Sequence, residues 1–233
     1  MSALLEVEGL SRSFGGVRAV DGLALSVEAG AICGIIGPNG SGKTTFLGLL
    51  SGTYRPSSGS IRLGGRAIGG MPAHRTVEAG VARTFQTTRL FARWPLAANL
   101  EVAAARRPGG AGPAALLALV GLAGRGAATC ASLSNAEQRL AMIAVALATH
   151  PSLLLLDEPA VGMAPSESGA LARVIRRMRD ELGVTVLIVE HNMHLMMGLA
   201  DRIMVMNAGR KLAEGTPDAV RRNPEVIACY LGT

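Results

Sequence analysis

The chain has 233 residues, 49% of them hydrophobic and 17% charged, with 30 glycines and a net charge of +6. That is enough apolar material for one domain with its own core. No apolar run approaches the roughly 20 residues of a spanning helix, and the opening residues, with Glu6 and Glu8, lack the basic-then-apolar order of a secretory leader. Aromatics make up only 3%, too few for stacking bases. The run Arg173, Arg176, Arg177 and Arg179 reads as a solvated helix face, so no nucleic-acid partner is expected. Cys33, Cys130 and Cys229 are isolated, as in a reduced cytoplasmic protein.

Residues 4–8 and 23–27 alternate apolar and polar and predict half-buried strands, with Gly15-Gly16 as a turn between them. Ala31–Ile36 is a short apolar run leading into a glycine-rich loop, then a helix from about Lys43 to Leu50 that stops at Gly52. Gly59–Leu63 predicts a third antiparallel piece. From about Arg89 to His150 the pattern is helical, rich in alanine and leucine and punctuated by Pro95, Pro108 and Pro113. Leu153–Leu156 and Val184–Val189 are continuous apolar runs, the mark of strands buried on both faces. Ser166–Leu182 between them predicts a crossover helix. After Ile203–Met206 a turn at Asn207-Ala208-Gly209 leads into a last hairpin strand. Strands alternating with helices predict an α/β fold with a largely parallel core. The expected division is a core of residues 1–88 and 151–233 with 89–150 inserted as a helical subdomain.

Gly37-Pro38-Asn39-Gly40-Ser41-Gly42-Lys43-Thr44 fits the phosphate-loop pattern, with a strand before it and a helix, continuing through Thr45, after it. Its glycines let backbone N–H groups turn toward phosphate oxygens, and the helix N-terminus adds partial positive charge. Lys43 is expected to bridge the β- and γ-phosphates and the Thr44 hydroxyl to bind Mg²⁺. Leu153–Leu156 delivers Asp157 and Glu158 to a strand end, where open α/β sheets bind ligands. Asp157 is expected to hold Mg²⁺ through water, and Glu158 to polarise the attacking water.

Leu133-Ser134-Asn135-Ala136-Glu137-Gln138-Arg139 precedes a helix and stands 24 residues before Asp157. The stretch from Leu133 to Pro159 resembles the signature-plus-acid segment of ATP-binding cassette (ABC) ATPases, whose signature usually reads LSGGQ. The resemblance runs over nearly the whole chain. It implies a phosphate-loop fold with an N-terminal antiparallel β subdomain, ATP and Mg²⁺ as ligands, and hydrolysis of ATP. It places Phe14 where an aromatic stacks on adenine and Gln86 where a glutamine senses Mg²⁺ and couples to a permease. Gly162-Met163-Ala164-Pro165 stands at the loop after the catalytic glutamate, and His191 where a switch histidine contacts the γ-phosphate. It also implies a second ABC ATPase, identical or different, whose bound ATP would meet Ser134, Ala136 and Glu137. A membrane permease is implied too, with the chain peripheral on the cytoplasmic face of the inner membrane.

Finer features, from Gly80 to Phe91, Val189 to Met193 and Asn223 to Gly232, look like the ATPases of branched-chain amino acid importers. Urea and amide importers are close relatives in the same respects. Three positions depart from the family pattern: Ala136 replaces the central signature glycine, Val145 an arginine, and Ala164 an Asp or Asn. Alanine at 136 is expected to crowd the phosphate or to demand a backbone angle that suits only glycine, weakening the site built on this chain's signature. Two alternatives stand beside the transport ATPase: a catalytically weakened or regulatory partner in a heterodimer, and a soluble cassette ATPase of DNA repair or translation. The short, Pro- and Gly-broken stretch before the signature and the single phosphate loop disfavour the second.

Overall fold

The computed structural model describes residues 3–85 and 90–231, with the side chain of residue 231 left aside. Gln86 therefore lies outside the described residues. The chain opens with a long hairpin, β1 (Ala3–Phe14) and β2 (Val17–Glu28), followed by β3 (Ile32–Ile36), α1 (Lys43–Leu50), β4 (Ser58–Leu63) and β5 (Arg66–Ala67). Then come α2 (Ala73–Ala79), β6 (Val81–Arg83), α3 (Leu96–Ala104), α4 (Pro113–Leu119) and α5 (Asn135–Leu147). The last part holds β7 (Leu153–Asp157), α6 (Pro165–Leu182), β8 (Thr185–Val189), α7 (Met193–Leu199), β9 (Arg202–Asn207), β10 (Arg210–Gly215), α8 (Pro217–Arg222) and α9 (Pro224–Leu231).

One sheet is antiparallel, in the order β2-β1-β4-β5, and the other runs β10-β9-β3-β8-β7-β6. In the second sheet β6, β7, β8, β3 and β9 are parallel and only β10 is antiparallel. The expected α/β architecture is present. The first hairpin is longer than its clean alternation suggests, because irregularities in the β1–β2 register shift the in-out phase along the strands. The short edge strand β6 and the helices α2, α7, α8 and α9 left little periodic signal in the sequence, since each is eight residues or fewer.

Strands β3, β7 and β8 are buried at every residue, so their side chains divide between two cores. Leu153, Leu155 and Ile35 face α1 and the antiparallel sheet, where Phe46, Leu47, Leu5 and Leu25 close one cluster. Leu154, Leu156 and Ile188 face the opposite way, onto Leu171 and Ile175 of α6 and onto Leu100, Leu116 and Ile143 of α3–α5. The helices of the 89–150 stretch thus share a core with one face of the sheet. From β3 the chain leaves for the far edge at β6, while from β8 it passes to β9 on the other side of β3. The carboxyl ends of β3 and β8 therefore mark the switch point where such sheets bind ligands.

Candidate functional site

At that switch point the loops after β3, β7 and β8 enclose a cavity of about 210 Å³, lined by Ala19, residues 39–45, Glu158 and His191. The loop after β3 is held open by glycine at two positions of close approach. A Cβ on Gly37 would lie 2.1 Å from the Met206 carbonyl oxygen, and one on Gly42, at φ 99°, would lie 2.2 Å from that of Ala19. Helix α1 starts directly after Gly42 with no side-chain cap and no acid in its first turn, which leaves its N–H groups and dipole available to an anion. Lys43 is buried and donates to the Gly37 and Pro38 carbonyl oxygens at 2.8 and 2.9 Å. Burial lowers its pKa, while Glu158 and then Asp157 act in the opposite sense. Thr44 is exposed and Thr45 half-buried at the same helix start.

Glu158 follows the last residue of β7 and takes a left-handed backbone, φ 49°, one of three described non-glycine residues with positive φ. Such strain persists only where the surroundings enforce it. Here the Glu158 N–H donates to the Val189 carbonyl at 2.9 Å, tying the ends of β7 and β8 together. The Glu158 Oε1 lies 2.8 Å from His191 Nε2. Asp157 is buried and pairs through Oδ2 with Arg83 at 2.8 Å, while its Oδ1 has no partner. Thr44 lines the cavity and Asp157 does not; the hydroxyl of the one and the free carboxylate oxygen of the other are donors of the kind that suits a hard cation such as Mg²⁺.

Glu190 was not singled out from the sequence. Its buried carboxylate accepts the N–H of Ala160 at 2.6 Å, of His191 at 3.1 Å and of Asn192 at 3.3 Å, joining the loops that carry Glu158 and His191. Burial pushes its pKa up, against the three N–H donors. A single acid closing a five-residue buried strand was the available signal.

The remaining residues lie elsewhere. Phe14 ends β1, 39% exposed, edge-on to Tyr54 and with the Arg12 guanidinium 4.6 Å from its ring centre. Ser134, Ala136 and Glu137 open α5 and are not among the residues lining the cavity. Ser134 caps the helix: its Oγ accepts the Glu137 N–H at 3.2 Å, and Glu137 Oε2 accepts the Ser134 N–H at 2.8 Å. These bonds, the backbone one first, hold the Glu137 pKa down. The concern over the backbone of Ala136 is corrected. It is the second residue of a regular helix, without positive φ, because the Ser134 cap begins the helix before it. Ala164 precedes α6 with no side-chain oxygen to cap it; only Glu167 reaches back, accepting its N–H at 2.7 Å.

A larger hollow of about 710 Å³ lies near Cys33, Asp201 and Arg202, at the opposite ends of the strands. Four of its charged residues pair with one another, Arg179 with Asp201 and Arg202 with Glu214.

A family model described as "ABC transporter" matches residues 20–161, which include the phosphate loop, the α5 start and Glu158. The chain belongs to the ABC transporter family. This cassette is the ATP-binding, ATP-hydrolysing subunit of such a transporter. A second model, "Branched-chain amino acid ATP-binding cassette transporter", matches residues 210–233. The cassette is 41% identical to the high-affinity branched-chain amino acid transport ATP-binding protein BraF of Pseudomonas aeruginosa, over 98% of each chain. It is 38% identical to LivG of Escherichia coli (strain K12), described in the same words, again over 98% of each. Among solved structures it resembles a nucleotide-free ATP-binding cassette from an ABC transporter, with a TM-score of 0.91 and 26% identity over the whole of both chains. A cassette in its ADP conformation matches with the same figures. Among the described residues, no helix is long and apolar enough to cross a membrane.

Proposed function

We propose that the cavity takes the phosphates of ATP and that Glu158 is the general base of hydrolysis in a branched-chain amino acid importer. The observation that carries this reading is the meeting of the phosphate loop, Glu158 and His191 in one cavity, with the two side chains already hydrogen-bonded. Phosphate binding draws Lys43 from the loop carbonyls to the β- and γ-oxygens, while the loop amides and the start of α1 hold the remaining charge. Glu158 takes a proton from the attacking water, and His191 orients its carboxylate and the γ-phosphate. Asp157, Thr44 and Gln86 are the residues that would hold Mg²⁺; the free Oδ1 of Asp157 fits that role. When bound, the ion neutralises charge on the β- and γ-phosphate oxygens. Phe14 offers its exposed ring to the adenine.

Ser134, Ala136 and Glu137, away from the cavity at an exposed helix N-terminus, serve the ATP of a second cassette, identical or different. Residues 89–150 act as a helical subdomain that, with Gln86, transmits closure of the pair to membrane permease subunits. The cassette sits peripherally on the cytoplasmic face of the inner membrane. BraF and LivG support the amino acid substrate, as does the match of residues 210–233. Purified protein is expected to hydrolyse ATP only with Mg²⁺. Glu158→Gln should lower turnover about 10²–10⁴-fold while still binding ATP. Turnover that survives this substitution, or that needs no divalent ion, would refute the assignment.

A further inference from the structure

We propose that Arg83 is the positioning residue of Asp157: it holds the carboxylate by one oxygen and keeps the other free for the divalent cation. This rests on the ATP-site reading above. Strands β6 and β7 are parallel, with Arg83 opposite Leu155. Side chains two apart share a face, so Arg83, Leu155 and Asp157 all point toward α1. Arg83 Nη2 meets Asp157 Oδ2 at 2.8 Å, with the side chains 7% and 3% exposed. The same guanidinium donates through Nη1 to Ser51 Oγ at 3.2 Å, just past the end of α1, and lies 5.1 Å from the Phe85 ring centre. It is thereby fixed from three sides.

The pair is a poor device for stability. Buried ion pairs recover their desolvation cost only when their remaining polar atoms are satisfied, and here Arg83 Nε and Asp157 Oδ1 are both buried without a partner. Arginine grips carboxylates most strongly with two parallel bonds. This one spends its second prong on Ser51. A one-sided grip fixes the carboxylate plane and leaves Oδ1 with its lone pairs free, a costly state unless something else takes that oxygen. Groups that orient a metal-binding carboxylate commonly set metal affinity in this way.

The test uses Mn²⁺, followed by its electron paramagnetic resonance, with ATP and the full chain carrying Glu158→Gln. Adding Arg83→Gln is expected to weaken Mn²⁺ binding about 10- to 100-fold, while ATP binding measured in EDTA stays within about twofold. Arg83→Lys, a charge without the planar fork, should restore part of the affinity and remain about threefold or more below the parent. Unchanged Mn²⁺ affinity in Arg83→Gln, or an equal loss of ATP binding in EDTA, overturns the proposal. If Arg83→Gln does not fold, Arg83→Lys decides, and parent-like Mn²⁺ affinity overturns it. A parent protein that binds ATP but no Mn²⁺ would refute the cation-site reading itself, a result distinct from any difference between variants.

Discussion

Replacing Gly42 with alanine tests whether the phosphate loop is shaped by close backbone approach, and Gly40→Ala is its control. Both glycines are left-handed, at φ 99° and 78°, so a side chain at either costs about 1–2 kcal/mol in backbone strain. They differ in space. A Cβ at Gly40 has nothing within 4 Å, whereas one at Gly42 meets the Ala19 carbonyl oxygen at 2.2 Å. Backbone must part to admit it, which adds about 1–3 kcal/mol of overpacking. The total for Gly42→Ala is about 2–5 kcal/mol. At roughly 2–4 °C per kcal/mol for a chain of this size, its melting point should fall by about 4–20 °C, against about 2–8 °C for Gly40→Ala. Calorimetry without nucleotide measures the difference. Added ATP should then raise the melting point of the wild type by mass action and leave Gly42→Ala almost unmoved, because its helix N-terminus has shifted. Equal melting points for the two variants would refute the close-approach account.

At the start of α5, Ser134→Ala removes a capping oxygen and should cost about 1 kcal/mol in urea unfolding; no change would mean that the box is idle. Ala136→Gly should cost up to about 1 kcal/mol of helix stability yet raise hydrolysis by the purified protein if a facing cassette's phosphate approaches there. Unchanged turnover would remove the methyl from consideration. Glu190 has a folded pKa raised above its ordinary value of 4.5. Its contribution is therefore fully present below about pH 4.5 and is lost as pH rises through the higher folded value. Stability measured from pH 4 upward should fall in that window in the wild type relative to Glu190→Gln, and parallel curves would show that Glu190 does not titrate there. Burial pushes the Cys33 thiol up to about 12, so alkylation at pH 8 should label half-buried Cys229 first and spare Cys33 until unfolding.

The site was legible in the sequence wherever backbone chemistry dictated it. Gly37 and Gly42 announce a loop that no side chain fits, and four leucines before Asp157 announce a strand buried on both faces. The helix Lys43–Leu50 has the predicted bounds because Gly42 opens it and Ser51-Gly52 close it. The rest depends on contacts between distant segments. Glu190 matters because two loops some 30 residues apart bring their N–H groups to it, and Arg83 because β6 lies beside β7. Ala136 is the opposite case. Its helical backbone follows from the Ser134–Glu137 cap, a local pattern that was present in the sequence but overshadowed by the missing glycine.

Lys43 is anchored at both ends, its main chain in α1 and its ammonium on the carbonyls of Gly37 and Pro38. Before any nucleotide arrives, the residue acts as an internal strut that spans the loop and supplies the positive charge its inward carbonyls require. On the function proposed above, phosphate entry is an exchange of partners around one ammonium. A lysine-to-alanine variant takes away the strut together with the ligand's counter-charge, so its loss of binding includes the collapse of an empty loop. Lysine-to-arginine, which keeps charge and reach, isolates the cost of losing the fit.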